Sequence, residues 1–274
     1  MSLRELVVAV LAGVVQGIVE WLPISSTGNV SLFLTVMGVS PEVAVQLALF
    51  LQVGTTLSAA VYYRETIREA VAAAPGWRPE GAFVGPNADT TFVVVACAMT
   101  GLIGIPIYVL LIDLASDLTG GLFVAVIGVL LVLTGLLQRA TEAIGLGEKE
   151  RPNLLDAVLV GAVQGLSILP GVSRSGTTAS VLLFRGHGGP SAFRLSFLLS
   201  IPAGLGAGVL IVLDTGGVPT NTGLEAFFAL VTSAVVGYVV IDALMRIVHT
   251  IEFWIVCLAL GGLCILGGGL TVVL

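Results

Sequence analysis

"EWLPISSTGN", residues 20–29, sets a carboxylate, a proline, three consecutive hydroxyls and a glycine inside a chain that is 57% hydrophobic and 10% charged. A second stretch, "LPGVSRSGTT" at residues 169–178, looks like a reworked copy of it. A helix cannot run undisturbed through either one. Proline removes a backbone donor and clashes with the preceding turn. Irregular backbone at membrane depth survives only where it is buried in protein or lines a cavity. The apolar regions that contain these stretches, 6–37 and 154–184, therefore read as broken or re-entrant helical hairpins.

Working outward, the 274 residues have a mean hydropathy of +1.09, with long apolar runs between short charged loops. Soluble domains rarely exceed about 50% apolar residues, so the class is an all-α polytopic membrane protein. A spanning helix needs roughly 20 mostly apolar residues. Six segments qualify: 43–63, 92–112, 122–138, 192–213, 226–243 and 253–273. The first apolar segment lacks the basic leader of a signal peptide and reads as a helix. The net charge of −6 leaves no basic surface for nucleic acid. Cys97, Cys257 and Cys264 have no metal-like spacing and read as small packing residues.

The two halves repeat. A shift of 148 positions pairs Val10 with Val158, Gly13 with Gly161, Gln16 with Gln164 and Gly17 with Gly165. The same register pairs Ser25 with Ser173 and Gly28 with Gly176. We read a single membrane domain, 1–274, made of a first repeat, 1–126, and a second, 149–274. If each hairpin enters and leaves on one side, three full spans separate equivalent points and the second copy is inverted, with both breaks near the midplane. In that scheme Arg64, Arg68, Arg78, Arg139, Lys149, Arg151, Arg185 and Arg246 share one side, and Asp113, Asp117, Asp214 and Glu225 the other. The positive-inside rule makes the basic side cytoplasmic and puts both termini outside.

Charges within such segments cost about 2.5–3.5 kcal/mol even on a lenient insertion scale, so Glu20 and Arg174 need a partner or a polar cavity. Meeting loops would assemble Glu20, Arg174, the hydroxyls of Ser25, Ser26, Thr27, Ser173 and Ser175, and the amides of Gln16 and Gln164. This set suits a phosphate group. Arginine binds phosphate oxygens bidentately, and helix starts near Gly28 and Gly176 add N–H donors. Glu20 would repel a bare phosphate, so it needs a proton to move or a cation to hold. Plainer readings stand beside these. Hydroxyls near a proline break re-satisfy freed backbone groups, Glu20–Arg174 can be a structural ion pair, and Gln16 and Gln164 can bond across helices. Arg194 reads as an interfacial snorkelling side chain. His187 and His249 have no evident pairing and receive no function.

At these residues the chain resembles the undecaprenyl pyrophosphate phosphatases of the bacitracin-resistance type. The resemblance rests on "QGIVEWLP", "PISSTGN", "PGVSRSG" and "FRLSFLLSIP", and covers essentially the whole chain. It implies an integral membrane hydrolase that removes the terminal phosphate of a polyprenyl diphosphate and so recycles the lipid carrier of surface glycans. It also implies an inverted repeat with re-entrant hairpins, a divalent cation (magnesium or calcium) and a site facing outside. Carried over by position, Glu20 is a metal ligand or general base, Arg174 the diphosphate clamp and Ser26 the candidate nucleophile. Ser25, Thr27, Ser173 and Ser175 are supporting donors. Asn29 is expected to bind substrate beside them, and there the chain departs from the pattern, since the family usually has histidine; asparagine does not shuttle a proton near neutral pH. The rival expectation is a transporter or flippase that moves a lipid phosphate without hydrolysis. Gly-rich helices such as "GGLCILGGG" permit a homodimer as readily as packing within one chain.

Overall fold

A computed structural model describes residues 2–73, 81–85, 87–142, 147–219, 223–247 and 252–273. Arg78 and His249 lie outside them. The described residues form eleven helices and no strand. Six are long and apolar enough to cross a membrane: α3 (Pro41–Tyr62), α5 (Asn87–Asp117), α6 (Gly120–Glu142), α9 (Gly189–Thr215), α10 (Gly223–Ile247) and α11 (Phe253–Val273). The protein is a multi-pass membrane protein, and these six are the six expected. α5 and α9 run beyond their expected limits and straight through Pro106 and Pro202. Membrane helices tolerate an internal proline because neighbours re-satisfy the freed carbonyl.

The expected breaks are present. α1 (Leu3–Val19) stops at Glu20, and α2 (Ser26–Val36) restarts after the proline. α7 (Leu154–Leu166) and α8 (Arg174–Phe184) flank the second loop in the same way. At 1.5 Å per residue α1 is ~25 Å long and α2 ~17 Å, each short of a bilayer core of about 30 Å. Both broken segments begin with reciprocal caps, Ser2 with Glu5 and Asn153 with Asp156. Both restart on a serine N-cap: Ser25 Oγ accepts from Gly28 N and Ser173 Oγ from Gly176 N, each at 3.2 Å. These side chains satisfy donors that a helix start leaves orphaned.

The halves interleave. α1 packs on α10 of the second half, and its counterpart α7 packs on α5 of the first. α3 lies at the centre with 78% of its apolar window buried, touching α1, α2, α5, α9 and α10. α6 and α11 pack together through facing glycines: a Cβ on Gly128 would sit 2.6 Å from the Gly261 carbonyl oxygen, and one on Gly268 2.4 Å from that of Gly121. The Gly-rich stretch of α11 is thus spent, on that face, within the chain. Arg64–Ala73 forms a separate helix, α4, where Glu65 pairs with Arg64 and Arg68 on the exposed surface.

Candidate functional site

The two interhelical loops are in backbone contact. The N–H of Gly171 donates to Ser25 Oγ at 3.0 Å, and the Gly171 carbonyl accepts from Thr134 Oγ1 at 2.9 Å. Gly171 has φ +109°, and a Cβ there would meet the Ile127 carbonyl oxygen at 2.7 Å, so only glycine fits. Ser25 has φ 62° and ψ 90°, the one positive φ among the described non-glycine residues. Such strain persists only where surroundings over-determine it. Here two N–H groups, those of Gly28 and Gly171, fix the Ser25 oxygen.

This contact brings Glu20 to Arg174. The Arg174 guanidinium donates to Glu20 Oε1, and its Nη1 donates to the Ser200 carbonyl at 3.2 Å. Gln16 Nε2 donates to Glu20 Oε2 at 2.8 Å. Side-chain exposure is 6% for Glu20 and 19% for Arg174. Each charge sits at the unfavourable end of its own helix: Glu20 caps the C-terminus of α1, and Arg174 opens the N-terminus of α8. The pair is therefore held by mutual attraction against both dipoles. An anion arriving at the α8 start would meet a cation and a positive dipole end together, with Glu20 as the group to displace.

Beside the pair lies a cavity of about 310 Å³, lined at its polar end by Ser26, Thr27, Gln52, Gln164 and Arg174. Thr27 Oγ1 accepts from Gln52 Nε2 at 2.8 Å. Ser26, half-buried, makes no side-chain hydrogen bond among the described residues. Gln164 is 2% exposed and donates to Thr100 Oγ1 at 3.0 Å, while its Oε1 has no partner.

Of the residues expected at the site, Ser26, Thr27, Gln164 and Arg174 line the cavity; Glu20, Gln16, Ser25 and Gly28 hold the structure beside it. Asn29 does not line it. Its amide donates to the Ile24 and Ser25 carbonyls at 2.7 and 2.9 Å and so braces its own loop. Ser173 and Gly176 are spent in the α8 cap, and a Cβ on Gly176 would meet Gln138 Nε2 at 2.6 Å. Ser175 neither lines the cavity nor makes a side-chain hydrogen bond among the described residues. Sequence reasoning missed Gln52, Thr100 and Ser200. An amide inside an apolar span is itself a costly signal and marks Gln52 as worth notice. Ser200 acts through its backbone, which leaves no trace in sequence.

Two further readings are corrected. His187 is not unpaired. It is fully buried, with Nε2 3.2 Å from Asp156 Oδ2 and Nδ1 3.3 Å from Ser191 Oγ. Lys149 and Arg185 also donate to the buried Asp156 carboxylate. Burial opposes that charge, yet the donors from Lys149, Asn153, Arg185 and His187 outweigh it and hold the carboxyl at about 2. Arg194 does not simply snorkel; its guanidinium forks onto Asp89 at the start of α5.

Among the described residues no three His, Cys, Asp or Glu side chains form a metal cluster. One carboxylate is present, Glu20, and beside it Gln16 Oε1 is buried without a partner. Magnesium is commonly held by one or two carboxylates with substrate phosphate oxygens completing its shell. Glu20 and Gln16 fit such an ion once a diphosphate supplies the rest.

The family model described as bacitracin resistance protein BacA matches residues 9–263. The chain is 51% identical to an undecaprenyl-diphosphatase of Haloarcula marismortui over 97% of its own length and 98% of the relative's. It is 40% identical to one of Methanopyrus kandleri, over 96% of each chain. A third so named, from Methanococcoides burtonii, is 36% identical over 97% of this chain and 98% of the relative.

Proposed function

The chain belongs to the BacA family, and from that premise we propose that it is an integral membrane phosphatase acting on an undecaprenyl-type polyprenyl diphosphate. It removes the terminal phosphate and returns the lipid carrier for another round of glycan export. The observation that carries this reading is the Ser26 hydroxyl: without a side-chain hydrogen bond among the described residues, it lines the cavity that Arg174 also lines, one residue from Ser25, whose oxygen is already committed to two N–H groups.

The terminal phosphate enters at the starts of α2 and α8 and takes over the Arg174 guanidinium from Glu20. Arg174 and the helix N–H groups then neutralise charge that grows in the transition state. Ser26 Oγ forms a bond to the terminal phosphorus, and the bridging P–O bond breaks to release polyprenyl monophosphate. Glu20, freed from Arg174, is the group able to take the Ser26 proton. Water then cleaves the phosphoserine and inorganic phosphate leaves. In the alternative role of Glu20, as a ligand and not as the base, it would hold a divalent cation, magnesium or calcium, together with Gln16 Oε1, and that ion would supply further charge neutralisation. Asn29 takes no proton; its part is to hold the loop that carries Ser26.

In the same reading the second repeat is inverted, the basic loops are cytoplasmic, and both termini and the site face outside. The charge asymmetry of the loops supports this orientation. The relatives' names do not favour the non-hydrolytic transporter.

The test is phosphate release from a C55 polyprenyl diphosphate by Glu20→Gln and Arg174→Ala. Both should lose at least about a hundredfold in turnover. Wild-type turnover in both, with the proteins folded, would remove Glu20 and Arg174 from the chemistry.

A further inference from the structure

Gln52 lines the cavity, yet as an amide it neither titrates nor attacks phosphorus. It belongs to α3, the central spanning helix, and is 7% exposed. An amide inside an apolar span is costly and needs a reason. Its Nε2 donates to Thr27 Oγ1 at 2.8 Å, a bond that ties α3 to the restart of α2.

The direction of that bond decides what the hydroxyl can do. An amide nitrogen only donates, whereas a hydroxyl has one proton and two lone pairs. With a lone pair taken by Gln52, the Thr27 proton must go to another acceptor. A threonine inside a helix can send it to the carbonyl four residues back. Thr35, Thr100, Thr178 and Thr215 do so, at 2.7–2.8 Å, onto Ser31, Ala96, Arg174 and Ile211. For Thr27, the second residue of α2, that carbonyl belongs to Pro23. It already accepts from Gln138 Nε2 at 2.6 Å and from Cys257 Sγ at 3.6 Å. Among the described residues the Thr27 proton has no acceptor. Thr27 is 3% exposed, so an acceptor has to come from the cavity that it lines.

We propose that Gln52 is a positioning residue for phosphate transfer: by donating to Thr27 Oγ1 it commits the Thr27 proton to an oxygen of the terminal phosphate, beside Ser26. This rests on the reading of the protein as a polyprenyl diphosphate phosphatase. An ionised phosphate oxygen accepts and does not donate, which is the partner that the hydroxyl lacks. Ser26 and Thr27 are the first two residues of α2, so one helix start fixes both the nucleophile and this donor. The position 148 residues on does related work. Ser200 of α9 holds Arg174, the first residue of α8, through its carbonyl, as Gln52 of α3 holds the second residue of α2 through its amide. In both places a spanning helix braces the first turn of a helix that restarts after a break.

The test uses the full-length protein in lipid nanodiscs. Gln52→Glu keeps the shape and the bond to Thr27 but reverses its direction, since a carboxylate accepts the Thr27 proton. Gln52→Met removes the donor without adding charge. Each should lower kcat/KM for a polyprenyl diphosphate about thirtyfold. In a Thr27→Val background, which lacks the hydroxyl, Gln52→Met should cost nothing further, and Gln52→Glu only the repulsion of its charge. Acid pH should restore Gln52→Glu as its carboxyl takes up a proton and donates again. Arg174, its partner Glu20, and Cys97 are the titratable groups around that position, and Gln52→Met carries them unchanged as the control. A brace with no part in orienting the hydroxyl would survive in Gln52→Glu. Near-wild-type turnover in Gln52→Glu, or an equal loss from it with and without the Thr27 hydroxyl, would overturn the assignment. Binding of a methylene-bridged diphosphonate lipid is read without turnover and should weaken in the same variants; unchanged binding and turnover in Gln52→Met would also overturn it. Wild type that binds this analogue but releases no phosphate from the diphosphate would remove the phosphatase reading instead, and leave Gln52 to be judged on binding.

Discussion

Gly171 N and Ser25 Oγ are joined at 3.0 Å across 146 residues of sequence, one from each interhelical loop. Through this bond the strained N-cap of α2 becomes the point at which the two breaks meet, and Glu20 and Arg174 follow from it.

Neighbouring serines should therefore respond in opposite ways. Ser25→Ala strands the N–H groups of Gly28 and Gly171 and should cost about 1–3 kcal/mol of stability. Ser25→Gly loses the same bonds but relaxes the φ of 62°, so it should cost less. Ser26→Ala breaks no side-chain hydrogen bond among the described residues; its melting temperature should stay near wild type while phosphate release is lost. Thermal unfolding in detergent together with turnover separates the two.

Glu20 and Arg174 are a nearly dry pair, so removing one partner strands the other charge. Arg174→Ala should destabilise the fold by about 3–5 kcal/mol. Arg174→Lys keeps the charge but not the planar fork that reaches both Glu20 and Ser200. It should recover much of the stability and little of the turnover. Full rescue of turnover by lysine would contradict the bidentate role.

Asn29 supplies two donors to carbonyls of its own loop. Asn29→Asp puts a carboxylate against those carbonyls and should be worse than Asn29→Ala, which should cost about 1–2 kcal/mol. A melting series of the three proteins checks the order.

Asp156 and His187 set the acid limit of stability. Burial lowers the His187 pKa below the usual 6.5, with Lys149 and Arg185 adding to it and Asp156 opposing. The unfolded chain thus takes up this proton first, and stability falls as pH drops below about 6.5. Asp156, held at about 2 against a usual 3.8, contributes stability that is present above pH 3.8 and lost as pH falls towards 2. Melting temperature against pH should show both declines, and His187→Gln should remove only the upper one.

Much of this was legible in the sequence. The six spans followed from apolar length, the breaks from proline among hydroxyls, and the Glu20–Arg174 meeting from the cost of isolated charge in a duplicated chain. What escaped depends on contacts without sequence period. Gln52 and Thr100 reach the cavity because of how α3 and α5 are turned, and Ser200 takes part through a carbonyl. Asn29 was expected to bind substrate because its neighbours do; one residue along a helix rotates a side chain by about 100°, enough to aim it back at its own loop. His187 looked unpaired because Asp156 is 31 positions away.

The most direct measurement is inorganic phosphate release from a C55 polyprenyl diphosphate by purified protein with magnesium, repeated with Ser26→Ala and with chelator. The account predicts one phosphate per lipid from wild type, release that chelator suppresses, and none from folded Ser26→Ala. Release undiminished in Ser26→Ala, or none from folded wild type that binds the lipid, would contradict it.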